Sequence, residues 1–108
     1  MRIRVEYFDQ NESFVHLLPI AGTVERTPVS CDSNPRWYLL ALDAAVEYNG
    51  TRYSHFLIAS RWKEHNIEGA DPVSVFILLV QSPNEAVDGF SHESFPFVAW
   101  GVAHVIDT

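Results

Sequence analysis

The sequence predicts a mostly β protein, folded as a small single-domain antiparallel barrel or sandwich of about six strands over residues 1–108. Segments in which apolar and polar residues alternate recur along the chain, as they do in half-buried strands. Clusters of glycine, proline, asparagine and aspartate separate these segments. The longest segment carries Asn49-Gly50 at its centre, and this dipeptide is typical of a tight β-hairpin.

Alternation marks the first strands, and proline interrupts them. Residues 2–7 alternate charged with apolar side chains, which indicates a strand with one solvated face. A second strand is predicted over residues 14–18 and 20–26. Because proline cannot donate to a ladder, Pro19 indicates an edge strand, a bulge or a bend. Residues 27–35 combine two prolines with serine, aspartate and asparagine, so they are predicted to form a loop.

The central hairpin is predicted over residues 36–62, with Asn49-Gly50 in a type I′ turn whose two central residues need a positive φ. Counting outward from this turn sets the register, with facing pairs Glu47 and Arg52, Leu42 and Leu57, and Trp37 and Trp62. This register puts even-numbered residues from 38 to 46 and odd-numbered residues from 53 to 59 on the core face. Arms of about thirteen residues at ~3.3 Å each would exceed ~40 Å, which favours a coiled barrel over a flat sheet.

The same stretch also permits a helix. Asn34 is a good helix N-cap, and Pro35 suits the first helical position. Asn49-Gly50 would then end the helix, because a residue with positive φ commonly follows the last turn. The alternative fold is α+β with residues 35–49 helical, although β-branched and aromatic residues on both sides of the turn favour strands.

Three further elements are predicted after the hairpin. A polar loop over residues 63–72 leads to residues 75–80, whose uniformly apolar side chains indicate a strand buried on both faces. Ser82 begins a short capped helical turn that ends by Gly89. Residues 97–107 form the last predicted strand, with bulky residues on one face and small residues on the other, where another element or a ligand can approach closely.

Composition narrows the class of protein. A single cysteine, Cys31, excludes an internal disulfide, and no catalytic signature surrounds it, so it is interpreted as a bystander thiol. The first residues lack the features of a signal peptide. No apolar run approaches the ~20 residues that a membrane-spanning helix needs. Together these features predict a cytoplasmic protein with no membrane partner.

The net charge of −7 is unevenly distributed. Residues 1–63 carry seven acidic and seven basic side chains, whereas residues 64–108 carry seven acidic side chains and no lysine or arginine. Nucleic-acid binding is not expected, because phosphate contacts need lysine or arginine. The acidic half indicates either a solubilising surface or a face that receives a basic protein partner.

Five histidines raise the question of a metal site. His16, His55 and His104 fall in predicted strands and could converge inside a barrel. Neither an H-x-H nor an H-E-x-x-H pattern is present, so no metal and no cofactor are predicted. Ser54 and Ser91 each precede a histidine, but neighbours in a strand point to opposite faces, so no Ser-His dyad and no catalytic residue is predicted.

The leading functional hypothesis is a non-enzymatic protein-binding module that presents its acidic C-terminal half to a basic protein. An inhibitor or an immunity protein for a basic toxin or nuclease would suit this size and charge. The predicted partner-binding residues are Glu64, Glu68, Asp71, Glu85, Asp88 and Glu93. These carboxylates would share one rim if the two loops that carry them opened at the same end of the barrel.

Two alternatives stay open. The first is a small-ligand or metal-binding barrel enzyme that uses interior histidines, namely His16, His55 and His104. The second is a homo-oligomer whose interface lies at the base of the hairpin, formed by Arg36, Trp37, Arg61 and Trp62. A pocket with converging polar groups would favour the enzyme, and a filled barrel with an acidic surface would favour the binding module.

Overall fold

The computed structural model describes residues 1–9, 19–31, 34–48, 50–62, 66–68, 71–86 and 97–107. Six antiparallel strands follow one another around a closed barrel in chain order, and the last pairs with the first. Their bounds are β1 Arg2–Asp9, β2 Ile20–Cys31, β3 Asn34–Tyr48, β4 Thr51–Ser60, β5 Val73–Val80 and β6 Phe97–Asp107. The predicted barrel is therefore confirmed. The α+β alternative is wrong, because the segment assigned to its helix forms β3.

Near the central turn, the pairing of β3 with β4 is the one predicted. The paired residues are Val46 with Tyr53, Glu47 with Arg52, and Tyr48 with Thr51. Gly50 has a φ of 80°, which lies in the left-handed region that glycine adopts without steric cost. The predicted type I′ turn also needs Asn49, and this residue lies outside the described part of the chain.

Farther from the turn, the register differs from the prediction by three residues. The segment of β3 from Leu42 to Ala45 stands opposite a single residue of β4, Ser54, and beyond this bulge Ala41 pairs with His55. The predicted pairings of Leu42 with Leu57 and of Trp37 with Trp62 are therefore wrong. A shift by an odd number of residues also exchanges the two faces of a strand.

The exchange of faces is visible in β4. Phe56 and Ile58 point into the barrel, whereas Leu57 and Ala59, predicted to be on the core face, lie on the outer face. On β3 the predicted core face is confirmed for Tyr38, Leu40 and Val46, and Leu42 packs against the interior cluster. The prediction is wrong for Ala44, which lies in the bulge and is exposed. The predicted alternation of β3 therefore holds on both sides of the bulge, whereas the predicted position of β4 beside it is wrong beyond the bulge.

The loop predicted over residues 27–35 is also wrong. β2 continues to Cys31, β3 starts at Asn34, and these two residues pair with each other. Register shifts interrupt the ladder on both sides of Val29. Such irregularities leave a residue without its ladder hydrogen bond, which is how a strand accommodates proline at position 28.

Apolar side chains form two layers, one inside the barrel and one on its outer face. The interior cluster comprises Ile3, Val5, Ile20, Tyr38, Leu40, Val46, Tyr53, Phe56, Ile58, Ile67, Val75, Ile77, Leu79 and Ala103. The outer cluster comprises Trp37, Leu39, Leu57, Ala59, Leu78, Val80 and Ala86, with Phe76 packed against it. Because β5 contributes to both clusters, the prediction of a strand buried on both faces is confirmed.

The last predicted elements are present in part. Ser82 caps a 3-10 turn over Pro83–Glu85, as predicted, whereas Gly89 lies outside the described residues. On the small face of β6, Ala103 belongs to the interior cluster and Val105 packs against it. No helix in the described ranges is long and apolar enough to cross a membrane.

Candidate functional site

Three of the six acidic residues predicted to bind a partner are described, namely Glu68, Asp71 and Glu85, and all three are exposed. Glu68 and Asp71 precede β5, and Glu85 follows it. Because β5 has eight residues and a strand of this length spans about 25 Å, the two groups belong to opposite ends of the barrel. They do not share one rim. The other three predicted residues, Glu64, Asp88 and Glu93, lie outside the described part of the chain.

Two of these carboxylates have partners within the chain. The backbone N–H groups of Gln81 and Ser82 donate to Glu85 Oε1 at 3.2 and 3.0 Å, which completes a capping box. The Tyr38 hydroxyl donates to Glu68 Oε2 at 2.6 Å. Glu85 therefore stabilises a turn, whereas the Glu68 carboxylate is held in place while it stays exposed.

Aromatic rings and one arginine form a stack on the outer face. Trp37 is 5% exposed, and its ring centroid lies 6.3 Å from that of Phe76. The Phe76 ring contacts Trp100, with centroids 3.5 Å apart. The guanidinium carbon of Arg61 lies 4.0 Å from the Trp100 centroid and 5.0 Å from the Trp62 centroid. We call these five residues the aromatic stack.

The aromatic stack ends at an exposed side chain. Trp62 comes two residues after the end of β4 and is 49% exposed. A backbone hydrogen bond of 2.8 Å joins Arg61 to β5 and fixes the start of the following loop. Of the four residues predicted at the base of the hairpin, Trp37 is buried, Arg61 and Trp62 are exposed, and the side chain of Arg36 lies outside the described part.

The described histidines lie on the outer face of the barrel. His55 pairs with Val80, which belongs to the outer cluster. His104 follows the interior residue Ala103 and therefore points outward. The predicted interior position is wrong for both, and His16 lies outside the described residues. Within the described ranges, no group of three or more histidine, cysteine, aspartate or glutamate side chains is placed to hold a metal ion.

Comparison with known proteins assigns no family to the chain. No protein-family model, curated protein or solved structure matches it. Function is therefore inferred from the geometry of the chain's own side chains.

Each outer-face histidine holds a glutamate. His104 Nε2 lies 2.6 Å from Glu6 Oε1, and Arg4 Nε donates to the same oxygen at 2.7 Å. The hydrogen bonds from Arg4 and His104 hold the pKa of Glu6 below its ordinary value. His55 Nε2 is hydrogen-bonded in the same way to Glu25 Oε1. Both glutamates stand at irregularities in the strand register.

Ser54 is hydrogen-bonded to His55, so Ser54, His55 and Glu25 form a network of three side chains. Its Oγ lies 2.6 Å from His55 Nδ1 and 2.9 Å from the carbonyl oxygen of Gln81. The prediction that Ser54 and His55 point apart is wrong, because the bulge opposite Ser54 breaks the regular alternation. The sequence did not predict this network, because Glu25 lies 30 residues away from His55 and no local sequence motif contains both residues.

Proposed function

We propose that this protein is a binding module that engages a basic protein surface through its β4–β5 loop, residues 61–72, in a role that needs no catalysis. Trp62 carries the proposal. It is 49% exposed, and it shares its loop with the exposed carboxylates Glu68 and Asp71. Tryptophan is enriched at the centre of binding hot spots, and carboxylates in the same loop would steer and orient a basic partner.

The filled interior supports a function at the surface. All six strands contribute to the interior cluster, and Leu40, Phe56 and Ile77 within it are fully buried. Barrels of about eight strands are only just wide enough for side chains or one small ligand, and a six-stranded barrel is narrower. The small-ligand enzyme also loses two of the three interior histidines that it was predicted to use, because His55 and His104 face outward.

The loop is attached to the barrel at several points, which favours a preformed binding surface. The guanidinium of Arg61 lies over the rings of Trp62 and Trp100. Ile67 is 2% exposed and belongs to the interior cluster. The Tyr38 hydroxyl holds Glu68. A surface ordered before binding loses less conformational entropy when a partner docks.

Charge supports a basic partner. Residues 64–108 contain seven acidic side chains and no lysine or arginine, so no basic side chain from that half of the sequence neutralises the loop carboxylates. Arg61 directs its charge onto two tryptophan rings. Neutralisation of a basic toxin or nuclease, as by an inhibitor or immunity protein, would suit this charge and size.

Loss of the exposed tryptophan should weaken the complex. With the tagged full chain as bait, a partner captured from native cells should bind the Trp62→Ala variant at least about thirty-fold less tightly, because a hot-spot residue contributes about 2 kcal/mol or more. Trp62→Phe keeps an aromatic ring and should retain much of the affinity. Surface plasmon resonance measures both, and equal binding by wild type and Trp62→Ala would contradict the proposal.

Neutralising the acidic side chains of the loop tests the charge component. The triple variant Glu64→Gln, Glu68→Gln, Asp71→Asn should slow association and reduce its salt dependence, because exposed charges are screened over ~8–10 Å. The control, Asp88→Asn with Glu93→Gln, removes two negative charges that follow β5 in the sequence, and its comparison variant is the double change Glu68→Gln with Asp71→Asn. A control that slows association as much as this double variant would mean that the effect comes from net charge and not from the loop.

A homo-oligomer is the second candidate, because the same exposed Trp62 could contact another copy of the chain. Sedimentation of the purified chain distinguishes the two. A dimer that dissociates in the Trp62→Ala variant would assign this surface to a second copy and would contradict the basic partner.

A further inference from the structure

We propose that Ser54 is an activated nucleophile that accepts acyl groups from reactive esters, with His55 as its general base and Glu25 as the residue that positions His55. The three groups lie on the outer wall of the barrel, and none of them belongs to the β4–β5 loop. The inference is therefore independent of the binding role. It concerns a chemical reactivity that this role does not use.

The hydrogen bonds select the tautomer that a general base requires. A neutral imidazole carries one N–H group and one lone pair. Because the Glu25 carboxylate accepts from His55 Nε2, a neutral His55 has its lone pair on Nδ1, 2.6 Å from Ser54 Oγ. At rest the Ser54 hydroxyl donates to the Gln81 carbonyl oxygen, so its proton has to turn to Nδ1 before Oγ attacks. A nucleophile within hydrogen-bond reach of a base, with a third group orienting that base, is the arrangement that activates serine hydroxyls.

The backbone holds these three side chains together. Glu25 is the extra residue of a bulge in β2, and Ser54 faces the bulge of β3. Ala41 lies on β3 between them and pairs with His55, and its methyl group leaves room for the imidazole to reach β2. Bulges re-aim side chains and are frequent beside active sites.

Burial and access suit the proposed roles. His55 is 8% exposed, and both of its ring nitrogens have partners, which limits its rotation. Ser54 is half-buried, so a small reagent in solvent can reach its Oγ. The base is thus held in place while the nucleophile stays accessible.

Hydrolysis of an ester at Ser54 needs no reagent other than the ester and water. Ser54 Oγ forms a bond to the carbonyl carbon of the ester while its proton passes to His55 Nδ1. The bond from that carbon to the leaving oxygen then breaks, and the leaving group takes the proton from Nδ1, so an alcohol departs and an acyl-serine ester remains. Water, deprotonated by the same nitrogen, attacks this ester, releases the acid and restores the hydroxyl.

The surroundings of Ser54 limit the substrate class. The Gln81 carbonyl oxygen competes for the hydroxyl proton at 2.9 Å. The nearby N–H groups of Gln81 and Ser82 donate to Glu85, so they do not stabilise an oxyanion. One oxyanion-hole donor is worth about 10²–10³ in rate. The substrates are therefore esters with good leaving groups, such as aryl esters, and not amides.

Covalent labelling of the full chain tests the proposal. We expect diisopropyl fluorophosphate to give one adduct at Ser54, identified by intact mass and peptide mapping, and p-nitrophenyl acetate to release p-nitrophenol. His55→Gln should lower the labelling rate at least about 100-fold, in line with the worth of a general base. Ser91 also precedes a histidine in the sequence, so Ser91→Ala is the matched control and should leave the rate unchanged.

Variants of Glu25 keep the proposal testable if His55→Gln does not fold. Glu25 is exposed, so Glu25→Ala should keep the melting temperature close to that of wild type, yet it should lower the labelling rate about tenfold or more, because His55 loses the group that fixes its tautomer. Glu25→Asp should recover part of the rate. No adduct at Ser54, or an adduct that forms at the wild-type rate in Glu25→Ala, would overturn the proposal.

Discussion

Gly22 lies at a close approach of β2 to β3. A Cβ atom at this position would stand 2.4 Å from the backbone carbonyl oxygen of Ala41 and 2.9 Å from the side chain of Leu40. The Ala41 carbonyl belongs to a paired strand, so it cannot move aside without disturbing the ladder. Glycine is therefore required at this position by lack of space.

Alanine at position 22 should destabilise the barrel. We expect Gly22→Ala to lower the free energy of unfolding by about 1–3 kcal/mol, the usual cost of forcing extra atoms into a packed site. Urea denaturation measures this change. Gly50 is the control, because a Cβ there meets nothing within 4 Å and only its φ of +80° is restrictive. Asparagine, which tolerates positive φ, should be accepted at position 50 and rejected at position 22; equal losses would contradict this explanation.

The positions of Glu6 and Glu25 in the strands explain why their hydrogen bonds to His104 and His55 could not be predicted from the sequence. Each stands at a register irregularity, and each binds a histidine of another strand. Period-two alternation predicts the faces of a regular strand, but no residue type marks the position of an extra residue. The sequence shows that Ser54, His55 and Glu25 are residue types that can form a nucleophilic site. It does not show that they lie in contact, because the contact depends on bulges that no sequence pattern marks.

β4 shows how one bulge changes the environment of a whole strand. The pairing of Glu47 with Arg52 beside the turn was predictable, because loop length sets the register there. The bulge from Leu42 to Ala45 was not, since its leucine, aspartate and two alanines fit a regular strand equally well. Every β4 residue beyond it therefore changes face. Burial on both sides of β5 was predictable, because its apolar run is uninterrupted.

Leucine truncation distinguishes the observed register from the predicted one. Leu57 is fully buried in the outer cluster, so Leu57→Ala should cost about 2–5 kcal/mol in the free energy of unfolding. Leu42 lies in the bulge and is only partly buried, so Leu42→Ala should cost less than about half as much. Denaturant melts give both values. Nuclear Overhauser contacts between the methyl groups of Leu42 and Leu57, instead of Leu39 and Leu57, would contradict the observed register.

The barrel as a whole is closed by the pairing of β1 with β6. On its outer side, this seam is crossed by the hydrogen bond between His104 and Glu6, with Arg4 bound to the same carboxylate. The closed shape was predictable from the length of the central arms. The contacts along the seam were not, because they join residues 98 positions apart.

Acid should weaken the seam. The pKa of Glu6 is held below its ordinary value by Arg4 and His104, so the ionised carboxylate stabilises the fold above the unfolded-state pKa, and this contribution is lost as pH falls through the lower, folded-state pKa. Stability measured by urea melts should therefore decline below pH ~4.5. The decline should be shallower in Glu6→Gln than in the control Glu47→Gln. Parallel declines in the two variants would exclude Glu6 as its source.

The pairing of the first strand with the last has a consequence for how the chain is made. At a synthesis rate of about 5–20 residues per second, β1 waits on the order of 5–20 s before β6 has emerged from the ribosome. During this interval, β1 pairs with β2 and leaves its other edge open. An open edge is a template for another strand. A strand of a nascent chain on a neighbouring ribosome can therefore pair with β1 before β6 is available.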